Sequence, residues 1–553
     1  MISVSKLCIY YNLLVCFSFS FRCLPKDQPP KVTIIFVIDQ CPYHMITKLL
    51  PHMNYGIKKM FNNGTNFTNA HHCNFKPGTA TGHTNLNTGA DACDHGCIGN
   101  SWYNNQREKI ICDEGDPVSD AVFSPDGIYD YGKSPQYIMV DGISDQFMLS
   151  SSPASPHHAI SISGKSRSAI ATANNAHAFW FDNQSGQLTS SKAYYDELPT
   201  WVQQFNAEYA ITSPNTITWQ QCYDEQSGAY FFDYIDDYRF SRRKPFVGKA
   251  LPIGPEADPE KPYINFEVSP SLNRFIIDAA LTCMQEYVAL DKPDHLLLWI
   301  CLSSLDKVGH RFGPWSREYV DMLYHLDQVI DLCMQEAEKL VGSHNCLFIL
   351  TSDHGVPPFI THLQEKGLKN IGHLIETKEL MKEINLFIQE QYGVSDLIYA
   401  ITNHQLYVNL KKFHMLSKLE QKNIIEDIQS FIEDIPGIKK VWTPQALLKR
   451  SFHANSPEFY FQKQYYPGRS GQLLLQMHPF SLVSEHLNGT SHSTPHTHNT
   501  HVPLIFYRPP ITHPKKIHSR VTTLQLANTL AELLQVPQPS SSYADVLPSV
   551  LDE

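Results

Sequence analysis

The sequence predicts an α/β protein built on a mostly parallel central sheet. Three apolar runs without polar alternation are typical of strands buried on both faces: residues 31–39, Leu296–Leu302 and Cys346–Thr351. Each run ends at or shortly before an acid, and these acids are Asp39, Asp306 and Asp353. Because open parallel sheets bind ligands outside the carboxyl ends of their strands, the three carboxylates are predicted to share one site.

The other patterns divide the chain into a core with two insertions. We predict further core strands over Ala159–Ser163 and Val502–Tyr507, and helices over Asn273–Tyr287, Arg317–Leu340 and Val521–Leu534. A polar, aromatic and proline-rich stretch, 201–270, is predicted to be an insertion over the active site. The strand–helix–strand pattern of 404–450 marks a second insertion, an α+β subdomain. The predicted parts of the chain are therefore a core at 30–200, 271–365 and 486–545, with insertions at 201–270 and 366–485.

Bulk composition limits the class of protein. The chain has 553 residues, of which 42% are apolar and 18% charged, as in soluble globular proteins. This length suits one large α/β domain with insertions, or two to three domains. A formal net charge of −11 argues against nucleic acid as a partner, because general nucleic-acid binders carry a basic face. An anionic substrate would need a local positive site, which metal ions would provide.

The N-terminus carries an apolar run of the length of a signal-peptide core, Leu7 to Phe21. Residues 1–25 are therefore predicted to be a signal peptide, with an ordinary N-terminal strand or helix as the alternative. No later segment is apolar for long enough to cross a membrane. The signal peptide predicts a periplasmic or secreted protein.

Four cysteines crowd around one short region: Cys73, Cys93, Cys97 and Cys112. In an oxidising compartment, one or two disulfides are expected among them, with a connectivity that the sequence does not fix. Metal binding by Cys93 and Cys97 is the competing interpretation.

The chain is organised around the stretch Pro77–His83. Thr79 is a small hydroxyl residue flanked by glycine, and we predict that it lies on a tight turn that opens a short helix. Such a turn exposes the Oγ atom and directs backbone N–H groups and the positive helix end at an anion. Single Asp–His pairs are more often helix caps or solvated loops. Here, however, Asp39, Asp306 with His310, and Asp353 with His354 each follow a buried strand. Together with Thr79 they predict a threonine nucleophile assisted by two metal ions for phosphoryl transfer.

The order of these pieces resembles the alkaline phosphatase superfamily. The resemblance is greatest to the PafA-type single-chain bacterial alkaline phosphatases, with the nucleotide pyrophosphatase/phosphodiesterase branch as the nearest relative. It extends from Val32 to about Pro539 and includes the motifs Gly99–Tyr103, Phe179–Asp182 and Tyr466–Gly471. It implies a three-layer α/β/α sandwich with inserted subdomains, two Zn²⁺ ions, small phosphorylated substrates and a monomer.

The resemblance also implies a ligand set. Thr79 would be the nucleophile and would bind one zinc ion with Asp39, Asp353 and His354. Asp306 and His310, which we place on one side of a turn, would bind the second ion with a late histidine. The family's spacing, eleven residues before the proline of the next strand, indicates His492; the competing candidates are His496, His498 and His501.

The sequence departs from the family pattern at two places. Ser493 stands where a glycine usually follows the late ligand, and Ala80–Gly82 lacks the proline that relatives carry between nucleophile and histidine. Neither departure removes a ligand.

Three more residues match those that contact the non-bridging phosphoryl oxygens in PafA-type enzymes: Asn100, Lys165 and Arg167. A phosphate monoester is a dianion, and a guanidinium with an ammonium suits its charge. A solvated basic turn is the alternative for Lys165 and Arg167.

The favoured function is therefore a phosphomonoesterase that forms a covalent phospho-threonine. The first alternative is a type I phosphodiesterase or nucleotide pyrophosphatase, which would place an apolar pocket where Lys165 and Arg167 lie. The second is a non-catalytic protein of the same fold, which would have lost a ligand or the nucleophile. A sulfatase is disfavoured because the chain has no Cys-x-Pro-x-Arg segment.

Overall fold

The computed structural model describes residues 28–209, 216–255, 258–368, 371–510, 513–548 and 550. The predicted signal peptide, residues 1–25, lies wholly outside these residues. Within the described ranges, no helix is both long enough and apolar enough to cross a bilayer.

The central sheet explains why the three apolar runs read as buried strands. In the described chain it has nine strands: β1 (Val32–Ile38), β2 (Thr65–Phe67), β3 (His157–Ser163), β4 (His177–Asp182), β5 (Gln187–Thr189), β6 (His295–Leu302), β7 (Cys346–Thr351), β8 (Leu504–Tyr507) and β9 (Lys515–Ile517). Their spatial order is β5-β4-β3-β6-β1-β7-β8-β2-β9. The five consecutive strands β4-β3-β6-β1-β7 run parallel to one another, whereas β5 pairs antiparallel with β4 and β8 pairs antiparallel with β7.

Helices cover both faces of this sheet, so the predicted three-layer α/β/α sandwich is confirmed. Along β1, Ile34, Phe36 and Ile38 point into one core and Ile35 and Val37 into the other. The first face carries the helices Tyr43–Leu49, Gly56–Asn63, Thr200–Glu208, Ile264–Glu267, Pro270–Tyr287 and Arg317–Val341. The second face carries the helices Thr79–Thr88, Ile143–Leu149, Ser166–Ala173 and Gln525–Leu534.

A separate core lies within the predicted α+β insertion. Among the residues described there, four antiparallel strands form a sheet in the order Ile398–Thr402, Gln405–Val408, Leu473–Met477, Ile438–Trp442. The helices Thr377–Tyr392 and Lys418–Glu433 bury isoleucines against it. The shorter helices of this part are Leu410–His414, Pro444–Leu448 and Pro457–Gln464.

Short elements complete the fold. The remaining helices are Ala92–His95, Ser304–Phe312, Ile360–Glu365 and Thr497–Thr500, with 3₁₀ turns at Glu225–Ser227 and Ser343–Asn345. The remaining strands pair as Ser101–Tyr103 with Lys109–Ile111, Thr216–Thr218 with Ala250–Pro252, Leu374–Glu376 with Leu482–Ser484, Ala70–His71 with His501–Val502 and Val521–Thr522, and Gly127–Lys133 with Glu114–Gly115 and Ala121–Ser124.

The predicted helix over Val521–Leu534 begins later than expected. Val521 and Thr522 pair with Ala70 and His71, and the helix itself is Gln525–Leu534. A tertiary strand partner overrides the helical pattern at these two residues, which the local sequence does not reveal.

The boundaries of the two insertions stay predictions. The segment 201–270 opens with a helix that buries Trp201, Val202 and Phe205 against the sheet-covering helices. Arg242 of the same segment reaches the cleft described below.

Candidate active site

The three predicted acids meet because their strands are neighbours. Strand β1 lies between β6 and β7, and all three are parallel and in register, with Ile38 opposite Leu302 and Val37 opposite Thr351. Asp39 and Asp353 are fully buried and Asp306 is 4% exposed. The carboxyl edge of the sheet therefore holds three buried acids, which need compensating positive charge.

Asp306 and His310 lie on a helix, not on the turn that we expected. The helix Ser304–Phe312 starts just after β6, and the spacing of four residues places both side chains on one face. His310 Nε2 is 3.1 Å from Asp306 Oδ1. Gly309 precedes the histidine, and a Cβ atom there would collide with the side chain of Gln40.

His354 and His492 complete two groups of candidate ligands. His354 Nε2 lies 3.2 Å from Asp353 Oδ2 and 3.5 Å from Asp39 Oδ1. The ring of His492 stacks on that of His354 with centroids 3.5 Å apart, and its Nε2 is 3.8 Å from Asp306 Oδ1. One group thus contains Asp39, Asp353 and His354, and the other contains Asp306, His354 and His492, with His310 beside it.

The other late histidines have different neighbours. His496 Nε2 lies 3.2 Å from the Met477 carbonyl, and His498 Nε2 lies 3.3 Å from the Thr494 hydroxyl. His501 Nε2 bonds the Thr68 carbonyl at 2.9 Å, and its ring stacks on His71. Of the four candidates, His492 is the one that the structure places beside Asp306.

Backbone carbonyls fix the tautomers of three histidines. The Nδ1 atoms of His310, His354 and His492 lie 2.8, 3.1 and 2.8 Å from the carbonyls of Thr490, Gly355 and Pro77. A carbonyl oxygen can only accept, so each Nδ1 donates and each neutral ring presents an unprotonated Nε2 to the carboxylates. Burial lowers the pKa of His354 and of His492 well below the usual range, which keeps these two rings neutral.

These contacts fit metal ions. An unprotonated nitrogen and a carboxylate oxygen both present lone pairs, so their close approach calls for a cation between them. In a tetrahedral zinc site with bonds of about 2.0–2.2 Å, neighbouring ligand atoms lie about 3.3–3.6 Å apart. The nitrogen–oxygen distances here are 3.1, 3.2, 3.5 and 3.8 Å. Asp39 Oδ1, Asp353 Oδ2 and His354 Nε2 are also buried without a hydrogen-bond partner among the described residues.

Thr79 is the first residue of the helix Thr79–Thr88, as predicted, and the helix is buried throughout. Asn100 Oδ1 accepts from the Ala80 N–H at 3.0 Å, which leaves the amide Nδ2 of Asn100 to donate. His83 Nδ1 lies 2.8 Å from the Thr79 carbonyl. Gly82 touches the Asp353 carbonyl so closely that a Cβ atom would overlap it. The start of the helix is thereby fixed against the metal-ligand candidates.

Gln40 is a site residue that we did not predict. Its backbone has a φ of +67°, and from this left-handed conformation its side chain points into the site. Gln40 Nε2 donates to Asp306 Oδ1 at 2.8 Å, and its backbone N–H donates to Asp353 Oδ1 at 3.0 Å. Gln40 therefore ties the two candidate groups together. The only sign of Gln40 in the sequence was its position directly after Asp39. That position does not predict the left-handed backbone that directs the side chain into the site.

Lys165 lies between the two groups. Its Nζ is 2.6 Å from Asp39 Oδ2 and 2.6 Å from Asp306 Oδ2. Burial lowers the pKa of Lys165, but the two carboxylates outweigh burial and raise it overall. Burial raises the pKa of Asp306, but Lys165 and His310 outweigh it, and that pKa falls well below its usual range.

The pKa of Asp353 shifts in the opposite direction. Burial and the neighbouring Asp39 carboxylate raise its pKa well above the usual range. Adjacent like charges in a dry site favour a proton on one of them, and a bound cation would remove that preference.

Comparison with known proteins identifies the family. A family model described as type I phosphodiesterase / nucleotide pyrophosphatase matches residues 33–135 and 164–503. The chain belongs to this family. It is 27% identical to alkaline phosphatase PafA of Elizabethkingia meningoseptica over 94% of each chain. It is 25% identical to alkaline phosphatase PhoV of Synechococcus elongatus over 99% of this chain and 100% of that one. The crystal structure of a PafA mutant matches with a TM-score of 0.81 at 24% identity, covering 94% and 98% of the chains.

The two predicted basic residues of this family member, Lys165 and Arg167, line one cleft, and Lys165 contacts the buried acids Asp39 and Asp306. This cleft has a volume of about 480 Å³, and Arg167 Nε is buried without a partner among the described atoms. Asn100 and His310 line a second cleft of about 540 Å³. Lys307 lines both clefts, so they adjoin at the site.

The cysteines contribute no disulfide within the described chain, where ten cysteines are free thiols. The thiols of Cys97 and Cys112 hydrogen-bond each other. Cys93 lies with Asp91 and Asp94 instead, so Cys93 and Cys97 do not share a candidate metal group.

Proposed function

We propose that this protein is a two-zinc phosphomonoesterase that transfers a phosphoryl group to Thr79 and then to water. Two relatives that match it along nearly their whole length are named alkaline phosphatases, and the chain is a hydrolase of phosphate esters. The observation that carries the finer proposal is local. Buried acids and histidines with unprotonated Nε2 atoms lie close together beside a threonine at a helix N-terminus.

The residues present would hold two ions. Asp39, Asp353, His354 and Thr79 would bind one, and Asp306, His310 and His492 would bind the other, with His354 near enough to contact either group. When bound, such ions neutralise phosphoryl charge and lower the pKa of a coordinated hydroxyl or water.

The protein's own groups position the reaction. Thr79 Oγ attacks phosphorus in line with the leaving oxygen, and the N-terminus of its helix favours the developing negative charge. Asn100 Nδ2 is left to donate to a non-bridging oxygen because its Oδ1 is engaged by Ala80. Water then cleaves the phospho-threonine, which regenerates Thr79 and releases phosphate.

The cations beside the nucleophile favour a monoester over a diester. Lys165 is a buried ammonium, and Arg167 lines the same cleft with a buried, unpartnered Nε. A monoester dianion offers more charge to these groups than a diester monoanion does. The family description also covers phosphodiesterases, so the diester reaction is the second candidate.

The test is a direct comparison of matched substrates with the zinc-loaded protein. We expect kcat/KM for phenyl phosphate to exceed that for methyl phenyl phosphate. Thr79→Ala should lose about 1000-fold or more, while Thr79→Ser, which keeps a hydroxyl, should retain part of the activity. Acid quenching and mass spectrometry should find phosphate on Thr79. A preference for the diester would establish the second candidate, and no turnover of either substrate would indicate a non-catalytic protein.

The same proposal includes a periplasmic or secreted monomer that is processed near residue 25. The apolar run Leu7 to Phe21 supports it. The intact mass of the protein recovered from outside the cytoplasm, together with its mass by light scattering, tests both parts.

A further inference from the structure

The 540 Å³ cleft that opens beside Asn100 and His310 has basic walls. The described residues that line it include four cationic side chains and one carboxylate: Lys76, Arg242, Lys307, Arg311 and Glu485. Glu485 is exposed. The whole chain carries a net charge of −11, so this concentration of positive charge runs against the composition of the protein. Asn100 also lines this cleft, so the cleft begins at a residue that we propose to bind the transferred phosphoryl group.

Among the described residues, three of the four cations have no acidic ion-pair partner. Lys307 is paired with Glu267, so its charge is already balanced. Within the described ranges, no carboxylate comes within ion-pair distance of Lys76, Arg242 or Arg311. Lys76 donates instead to the Asn403 side chain, and Arg242 Nε donates to the Asn488 carbonyl at 2.7 Å. Arg311 Nη1 is buried and has no hydrogen-bond partner among the residues that the structure describes.

These three charges are held in place by separate parts of the fold. Lys76 precedes the Pro77–His83 stretch by one residue, and Arg311 follows His310 on the same helix. The backbone N–H of Arg242 donates to the Arg311 carbonyl at 2.8 Å, which brings the 201–270 segment to the cleft. The geometry of the cations is therefore coupled to the nucleophile on one side and to the metal-ligand candidates on the other.

Unpaired cations that are partly withdrawn from water are costly. Burial lowers the pKa of Lys76 to about 8, and burial followed by the charge of Arg243 lowers the pKa of Arg311 to about 10. Glu267 and Asp306 offset this only in part for Arg311, and among the described residues no acid forms an ion pair with any of the three cations, so an anionic ligand would supply the missing charge. The nucleophile side of the site already has Asn100, Lys165 and Arg167 for the transferred group.

We infer that the preferred substrate carries a second anionic group, a phosphate or a carboxylate, that binds Lys76, Arg242 and Arg311 while the first phosphate reacts at Thr79. This inference rests on the proposed phosphomonoesterase function and names its substrate class. A charge-assisted contact of this kind contributes about 10- to 100-fold in affinity.

The test compares two substrates with the same leaving oxygen, hexyl phosphate and hexane-1,6-diol bisphosphate. With the zinc-loaded protein we expect kcat/KM for the bisphosphate, divided by two for its two equivalent ends, to exceed that for hexyl phosphate by about 10-fold or more. Arg311→Gln and Arg242→Gln should each reduce this ratio at least several-fold. Lys244→Gln is the control, because it removes one positive charge from an exposed residue of the same segment that does not line the cleft, and its ratio should stay at the wild-type value.

Two outcomes separate this inference from the function on which it rests. If hexyl phosphate is hydrolysed and the ratio is near one, the second anionic subsite is wrong and the phosphomonoesterase stands. If neither compound is hydrolysed, the proposed function fails, and calorimetric affinities of both compounds for zinc-loaded Thr79→Ala still decide the subsite. Tighter binding of the bisphosphate that Arg311→Gln abolishes supports it, and equal binding overturns it. A carboxylate in place of the second phosphate, as in 6-phosphooxyhexanoate, distinguishes the two anions.

Discussion

The Lys165 ammonium lies 2.6 Å from the Asp306 carboxylate and equally close to Asp39, so one side chain bridges the two groups of metal-ligand candidates. Lys165 is thus the positive charge that balances these buried acids in the protein itself. With zinc bound, the ions would take over this role and leave the ammonium for substrate.

The first prediction concerns stability without metal. Removal of one partner from a buried ion pair costs about 3–5 kcal/mol, because a charge is left uncompensated. Lys165→Ala should therefore lower the free energy of unfolding of the zinc-depleted protein by about 3–5 kcal/mol and that of the zinc-loaded protein by much less. Urea unfolding with and without chelator measures both values. Lys307→Ala is the control, since its pairing with Glu267 lies outside the ligand groups, and it should cost the same in both states. Equal losses for Lys165→Ala would contradict this role.

A second prediction concerns the choice between monoester and diester. In a dry site each charge-assisted contact to a developing dianion contributes roughly 2–4 kcal/mol, or about 30- to 1000-fold in rate. Lys165→Ala/Arg167→Ala should therefore reduce kcat/KM for phenyl phosphate far more than for methyl phenyl phosphate. Both constants are measured at saturating zinc. If both substrates lose the same factor, the pair supports the structure of the site and not the binding of a dianion.

The late ligand gives a third prediction. His492 Nε2 faces Asp306, whereas His501 bonds Thr68 and stacks on His71. His492→Ala should reduce the zinc content by about one equivalent, and His501→Ala should leave it unchanged. Elemental analysis after gel filtration measures the content, and circular dichroism checks the fold. Full zinc in His492→Ala would remove this residue from the ligand set.

The fourth prediction sets a steric contact against helix propensity. Gly82 lies inside the helix Thr79–Thr88, where alanine is intrinsically better by about 1 kcal/mol. A Cβ at this position, however, would overlap the Asp353 carbonyl. We expect the steric overlap with Asp353 to outweigh the gain in helix propensity. Gly82→Ala should therefore weaken zinc binding about 10- to 100-fold. In the control Gly78→Ala, the nearest atom to the new Cβ is 3.8 Å away, and zinc binding should be kept. Zinc affinity is measured by competition with a chelator.

The sequence was informative where its signal was local. The buried strands read correctly because a strand buried on both faces must be continuously apolar, and β6 and β7 fall within one residue of their predicted bounds. The three acids of the site could be predicted because they come shortly after the ends of these strands. Gln40 could not be predicted, because its role depends on a left-handed backbone and on two carboxylates that lie far away in the chain.

The same limit applies to the histidines. Spacing selected His492, but the carbonyls of Thr490 and Pro77 that orient the rings of His310 and His492 come from distant parts of the chain. The basic cleft was equally hidden, since Lys76, Arg242 and Arg311 come from three distant segments. Its outlines appear only when these segments are packed together.

The last prediction is a pH dependence of the second anionic subsite. Burial lowers the pKa of Lys76 from 10.5 to about 8, so its ammonium is charged below pH 8 and loses its charge above it. Both phosphates of the bisphosphate are already dianionic at this pH, and ionisations shared by the two substrates cancel in their ratio. The preference for hexane-1,6-diol bisphosphate over hexyl phosphate should therefore fall as the pH rises through about 8.

The control for this pH profile is Lys76→Met, whose unbranched side chain is one atom shorter and carries no charge. The preference of this variant for the bisphosphate over hexyl phosphate should be weak and should not change with pH. The other titratable groups of the cleft are His310, His404, His486, Glu485, Lys307, Arg242 and Arg311. Burial lowers the pKa of His404 to about 3 and that of Arg311 to about 10, so neither changes charge near pH 8. A wild-type ratio that stays constant between pH 7 and pH 9 would show that Lys76 does not bind the second anion, because its deprotonation in the free enzyme would then have no effect on kcat/KM.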